Sequence, residues 1–193
     1  IGPGNSRVFR VTAQVSLIGL TITGGNVGTS NGGGISNIGN LLVRDCHITG
    51  NTGAFGGGIS SQGAGQLTVI NSAIINNTGI DRGGGIDSTG LLSVQNSTIS
   101  SNITIDTSGQ NGGGIWTRDA SIVNSTITNN AAFGPESAGG IHRDAGVLSI
   151  RSSIIAANTN SATVPDIVSV NNTGVTSLGY NLIGNRGSLF FLG

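Results

Sequence analysis

The chain has 193 residues, enough for one substantial domain. Only 8% of them are charged, eight Arg against eight acids with no Lys, and that neutrality argues against nucleic acid or an anionic membrane surface as the main partner. A lone cysteine, Cys46, excludes a disulfide framework and a multi-cysteine metal site, and no run of 18 apolar residues is present to span a membrane as a helix.

In chain order, Ile1-Gly-Pro-Gly-Asn5 reads as a chain entered partway, as in a mature secreted protein or an excised segment. Val8, Phe9 and Val11 then alternate as in a strand. From there a pattern repeats. Leu17, Val43, Val69, Val94, Ile122 and Ile150 recur at 25 to 28 residues, and two residues before each stands Val15, Leu41, Leu67, Leu92, Ala120 or Leu148. Period-two spacing puts both members of each pair on one face of a short strand. Five residues beyond come Ile22, Ile48, Ile74, Ile99, Ile127 and Ile155. A small residue stands three beyond from the second coil on: Cys46, Ser72, Ser97, Ser125, Ser153.

A glycine cluster opens each inner period: Gly32–Ile35, Gly56–Ile59, Gly83–Ile86, Gly112–Ile115 and, with one Ala, Ala138–Ile141. Self-similarity at a period of 20–50 residues marks a solenoid. Glycine costs roughly 1 kcal/mol per helical position relative to Ala, which disfavours helices here. Three short strands per coil of about 26 residues is the dimension of a parallel β-helix, all-β, with strands of successive coils about 4.8 Å apart. Seven coils are expected within one domain: residues 1–30 as the first, 31–160 as five repeats, and 161–193 as a degenerate last coil (Ile167, Leu178, Ile183) with the start of another. One coil buries about four aliphatics at about 1.5–3 kcal/mol each, less than the cost of ordering its backbone, so only stacked coils are stable.

Eight residues after the landmark stand Asn51, Asn77, Asn102, Asn130 and Asn158, and two after it stand Asp45, Asn71, Asn96, Asn124 and Ser152. Asn tolerates left-handed turns, and stacked amides bond along a column, so Asn51 through Asn158 form a predicted structural ladder. Length varies mostly after this column, which predicts projecting loops at 103–110 and 131–137.

Gly-Gly-Gly-Ile paired with Ile-x-x-Asn (Ile48–Asn51, Ile74–Asn77, Ile99–Asn102, Ile127–Asn130) resembles the GGA(I/L/V) and FxxN repeats of polymorphic outer-membrane and autotransporter-like passengers, with Ile for Phe in the second motif. Arg7–Val11, Leu20–Gly25 and Ser177–Ile183 look like flanking segments of large bacterial surface proteins with right-handed β-helix repeats, which implies a right-handed parallel β-helix here. The resemblance implies secretion and display on a cell surface, with an adhesive or structural role.

For chemistry, a glycosidase needs two carboxylates about 5–9.5 Å apart. Asp87 and Asp119 follow their isoleucines by one and four residues and do not match, so no catalytic site is assigned and polysaccharide cleavage is the less favoured alternative. No cofactor or metal is assigned either: His47 and His142 are singletons on outward positions. Trp116 also points outward, in register with Ser36, Ser60, Asp87 and His142, and is the candidate ligand contact for surface glycans. One outward face reads Thr21/Thr23, His47/Thr49, Ala73/Ile75, Thr98/Ser100, Thr126/Thr128 and Ile154/Ala156, and its likeness to a Thr-x-Thr array raises ice binding as an alternative, interrupted at the third and sixth coils. Sequons at Asn76, Asn96, Asn102, Asn124 and Asn171 would permit glycosylation. The ends, Val8, Phe9 and Val11 on one side and Leu189, Phe190, Phe191 and Leu192 on the other, look uncapped and predict head-to-tail self-association into filaments.

Overall fold

A computed structural model describes residues 6–160 and 165–187, and over these the chain is a parallel β-solenoid of about seven turns. The glycine-isoleucine strands stack in one path, Phe9–Val11, Ile35–Asn37, Ile59–Ser61, Ile86–Gln95, Ile115–Val123, Ile141–Arg143 and Ile167–Ser169, within a twelve-stranded sheet that also takes in the landmark strands. The later-Ile strands, from Thr21–Thr23 to Leu182–Ile183, form a second sheet of seven. Pairing is in register from coil to coil, so Ile35, Ile59, Ile86, Ile115 and Ile141 meet residue on residue and all are fully buried. Val43, Val69, Val94, Ile122 and Ile150 make a parallel column, and Ile48, Ile74, Ile99, Ile127 and Ile155 a third. A fourth column, Leu41, Leu67, Leu92, Ala120, Leu148 and Val175, completes the core.

Each coil from the second to the sixth holds a strand that was not expected, and in the fourth and fifth the first two expected strands run on as one, Ile86–Gln95 and Ile115–Val123. Thr52–Phe55, Thr78–Arg82, Ile103–Thr104, Ala131–Ala132 and Thr159–Asn160 follow the asparagine column and form a five-stranded sheet. That sheet explains the glycines. A β-carbon on Gly33, Gly57 or Gly113 would strike the carbonyl of Thr52, Thr78 or Ala131, so the glycine strand passes directly against this backbone. The next glycine leaves room for the ladder: a β-carbon on Gly58 would lie 3.2 Å from the Asn77 amide. Ala138 is tolerated because the first position of the cluster, left-handed at Gly32, Gly56 and Gly83, is not left-handed there.

The asparagine ladder is present. The backbone N–H of Asn51 and its Nδ2 both donate to Asn77 Oδ1 at 3.1 and 3.0 Å, and the pattern repeats from Asn77 to Asn102, Asn102 to Asn130 and Asn130 to Asn158. These residues are buried and do not take the left-handed conformation expected of them. The residue before each does: Gly50, Asn76, Ser101, Asn129 and Ala157 have positive φ. The column at Asp45, Asn71, Asn96, Asn124 and Ser152 is left-handed as expected.

A second ladder runs through the small residues. The backbone N–H of Cys46, Ser72, Ser97 and Ser125 each donates to the serine Oγ of the next coil at 3.1–3.2 Å, and each serine hydroxyl donates back to the carbonyl two residues earlier. Cys46 fills the first described place, its Sγ 3.2 Å from the Arg44 carbonyl.

In the last coil Val175 and Ser177, rather than Leu178, take the register positions of Leu148 and Ile150, and Leu178 is exposed. At the first coil Val11 is buried while Val8 and Phe9 pack partly buried against the core. Leu189, Phe190, Phe191 and Leu192 lie outside the described residues.

Candidate functional site

Two loops depart from the repeat, residues 105–111 and 133–137, and both leave the same corner on consecutive coils. They bond to each other: Gln110 N donates to the Pro135 carbonyl at 3.2 Å, Asn111 N to Ser137 Oγ at 3.1 Å, and Asn111 Nδ2 to the Phe133 carbonyl at 3.2 Å. Together they border the outer face of the glycine-isoleucine strands. That face carries Ser60, Asp87, Trp116 and His142 in register, and all four are buried.

Arg82 sits at the centre of this cluster. Its guanidinium lies 3.8 Å from the centre of the Trp116 ring and 4.5 Å from that of Phe55, and its Nε is 2.6 Å from Asp87 Oδ2. Gln62 Nε2 donates to the other Asp87 oxygen. Trp116 in turn stacks on His142, the rings 7° from parallel with centres 6.5 Å apart. The result is a column of Phe55, Arg82, Trp116 and His142 along the rod, in which each planar group covers the next. Trp116 is therefore no open stacking platform: it is 3% exposed, with Arg82 over its ring. Alternation gave its side of the strand correctly and its accessibility wrongly.

Burial dominates the electrostatics. It pushes the Asp87 carboxyl up to about 6 even though Arg82 and Gln62 favour its charged form. It pulls the His142 imidazole down to about 4. With both oxygens of Asp87 engaged and the residue fully buried, this carboxyl is placed as a strut for Arg82. His142 Nδ1 lies 3.1 Å from the Glu136 carbonyl. A carbonyl only accepts, so Nδ1 carries the proton and Nε2 is a bare acceptor. That Nε2 is buried and has no hydrogen-bond partner among the described residues.

Two depressions open beside the column and share Gln110. One of about 350 Å³ is lined by Trp116, Arg82, Arg118, Asp106 and Asp144 among others, with Arg118 and Asp144 3.7 Å apart. The other, of about 340 Å³, is lined by Gln110, Glu136, His142, Val168, Asn171 and Asn172 among others. A larger, open hollow of about 500 Å³ lies elsewhere, over Cys46, His47 and Asn71. Its wall is the repeated left-handed turn (Asp45, Asn71, Asn96), so it is a product of the coil alone.

Of the sequons, Asn76, Asn96, Asn124 and Asn171 are exposed, whereas Asn102 is 1% exposed, its Nδ2 donating to Ile74 O and Asn130 Oδ1, and cannot serve as a glycan acceptor. His47 is half-buried on the seven-stranded sheet, away from His142, which is itself buried rather than outward in solvent. Among the described residues no three His, Cys, Asp or Glu side chains are grouped to hold a metal ion. No helix there is long and apolar enough to cross a membrane. Nothing in the repeat pattern marked Phe55 or Arg82 as members of the site; the outward Trp116 and the variation in loop length, which took in Gln110, were the signals that pointed there. Comparison with protein-family models, curated proteins and solved structures gave no match.

Proposed function

We propose that this chain is an extracellular structural and adhesive solenoid that grips surface glycans with the loop-bordered face of its fourth to seventh coils. One observation carries the reading: the departures from the repeat converge in space. A solenoid needs neither long loops nor large outward side chains at any given coil, and insertions in repeat proteins collect on the face that binds. Here both long loops, the only Trp and the buried Asp87 and His142 lie on adjoining coils. Coils two and three carry Ser36 and Ser60 at the same outward position. The depressions mix amides, carboxylates and a guanidinium with ring edges, the combination that addresses hydroxyl-rich ligands through in-plane hydrogen bonds. The resemblance of the Gly-Gly-Gly-Ile and Ile-x-x-Asn motifs to surface-displayed passengers supports the setting.

The test is a glycan array read with the intact chain and with a variant whose residues 105–110 are replaced by a two-residue turn. Selective retention by the intact chain, lost in the variant at an unchanged melting temperature, is the expected result. Equal binding by both forms, or release of sugar fragments from the array, contradicts the reading.

A further inference from the structure

One part of the loop-bordered face is built to a finer specification than the rest. Building on its adhesive role, we infer that the depression beside His142 is a subsite for a neutral sugar ring, with His142 Nε2 accepting a hydrogen bond from a ligand hydroxyl.

Leaving a buried acceptor unpaired costs roughly 1–3 kcal/mol, and native chains leave few of them. His142 keeps one although its other nitrogen is fixed by the Glu136 carbonyl, so the ring cannot turn to satisfy both. Trp116 stacked at 7° holds the ring plane as well. Because Nδ1 carries the proton, the free nitrogen can only accept, and a ligand must bring the donor.

The surroundings decide which donor. The wall beside His142 contributes Gln110, Glu136, Asn171 and Asn172, with Val168 and Val170 as apolar surface. It includes no arginine, and the chain has no lysine. The neighbouring Arg143 is committed: Nε donates to Ser169 Oγ at 2.7 Å, and its two terminal nitrogens donate to Gly146 O and Val170 O at 2.8 Å. An anionic ligand would meet the Glu136 carboxylate with no free cation in the wall to offset it. A metal ion would find one imidazole and, among the described residues, no grouped acids. A pyranose offers what the wall lacks: hydroxyl donors for Nε2 and the side-chain carbonyls, and C–H faces for the valines. The volume of about 340 Å³ is at the small end of ligand sites, fitting one or two sugar rings. Gln110, Glu136, Asn171 and Asn172 are exposed at the rim and can turn aside without disturbing a coil. Asn171 and Asn172 are both held left-handed, at φ of 61° and 55°, a backbone that other side chains would resist.

The experiment is nitrogen-15 NMR of the histidine side chains in the whole chain, titrated with methyl α-mannoside, methyl β-galactoside and N-acetylglucosamine, and with galacturonic acid as the anionic counterpart. Binding is measured in parallel by calorimetry on the chain and on His142→Phe, which keeps an aromatic plane against Trp116. The expected result is a move of the His142 Nε2 resonance from bare-acceptor toward hydrogen-bonded position with a neutral glycoside, none with galacturonic acid, and at least a tenfold affinity loss in His142→Phe. A glycan that binds while Nε2 stays unmoved places the contact elsewhere and overturns the subsite, leaving the adhesive face standing. Preference for galacturonic acid overturns the neutral assignment. Failure of the intact chain to bind any glycan overturns both. The wild-type NMR readout does not depend on the variant folding.

Discussion

Asp87 and His142 are two buried titratable groups at the same outward position, two coils apart, and their effects on stability oppose each other. The Asp87 carboxyl titrates at about 6 in the folded chain against roughly 4 when unfolded, so between those values the folded chain holds the proton more tightly. Its contribution therefore favours folding at low pH and is lost as pH rises from 4 to 6. His142 titrates at about 4 folded against about 6.5 unfolded. There the unfolded chain binds the proton, and stability is lost as pH falls from 6.5 to 4. Each effect is on the order of 3 kcal/mol at most. Wild type should accordingly be nearly flat between pH 4 and 6 with respect to this pair. Urea unfolding should show stability rising with pH in Asp87→Asn, where only the histidine slope remains, and falling with pH in His142→Phe. Parallel slopes in the two variants would mean that these groups do not set the pH response. That both residues point outward was legible from their places directly after Ile86 and Ile141. That both are buried was not, because period-two alternation tells which side a residue faces and nothing of the loops lying over it.

At the scale of elements, two hydrogen-bond ladders hold the coil corners, and they end differently. The asparagine ladder passes its donors toward the C-terminal coils and needs a last acceptor. Asp166 supplies it: Oδ1 accepts from Asn158 N at 2.8 Å and Nδ2 at 2.7 Å, and Oδ2 accepts from Asn185 N at 2.6 Å. Asp166 stands just before Ile167, in the column where Gly34, Gly58, Gly85, Gly114 and Gly140 stand before their isoleucines, and its side chain fills the space that an asparagine occupies above those glycines. Asp166→Asn keeps one acceptor but sets an amide NH₂ against the Asn185 N–H, so it should cost about 1–3 kcal/mol. Asn102→Leu, in mid-ladder, removes bonds to Asn77, Asn130 and Ile74 O and should cost at least as much, since it leaves buried partners unpaired. Thr98→Ala, on the exposed strand face, should stay within about 0.5 kcal/mol of wild type, and thermal melts of the three variants check the order. The asparagine column was legible because identical residues recur at one offset. The serine column was legible only as small residues, since a hydroxyl serves a turn as well as a ladder. Asp166 was not legible, being an acid in a glycine column. The five-stranded sheet was hidden because strands such as Ile103–Thr104 and Ala131–Ala132 are too short to show a period.

For the whole molecule, repetition and departure from it divide the labour. The recurring isoleucines, valines and leucines, with the glycines and ladder side chains, make a rod whose every coil depends on its neighbours, and the aliphatics account for nearly all of the buried apolar core. The loops at 105–111 and 133–137, with Phe55, Arg82, Trp116 and His142 beneath them, add little to that core and instead shape one face. Loop positions were legible from coil-length differences; their meeting on one face was not, because it depends on how far each loop folds back over the adjoining coil. The most direct check on this division is hydrogen–deuterium exchange of the whole chain with and without a saturating oligosaccharide taken from the array. Added protection confined to residues 103–118, 131–144 and 168–172, with the Thr-bearing strands at Thr21–Thr23, Thr98–Ser100 and Thr126–Thr128 unchanged, is the result this account predicts. Protection on those Thr-bearing strands with none beneath the loops would contradict it.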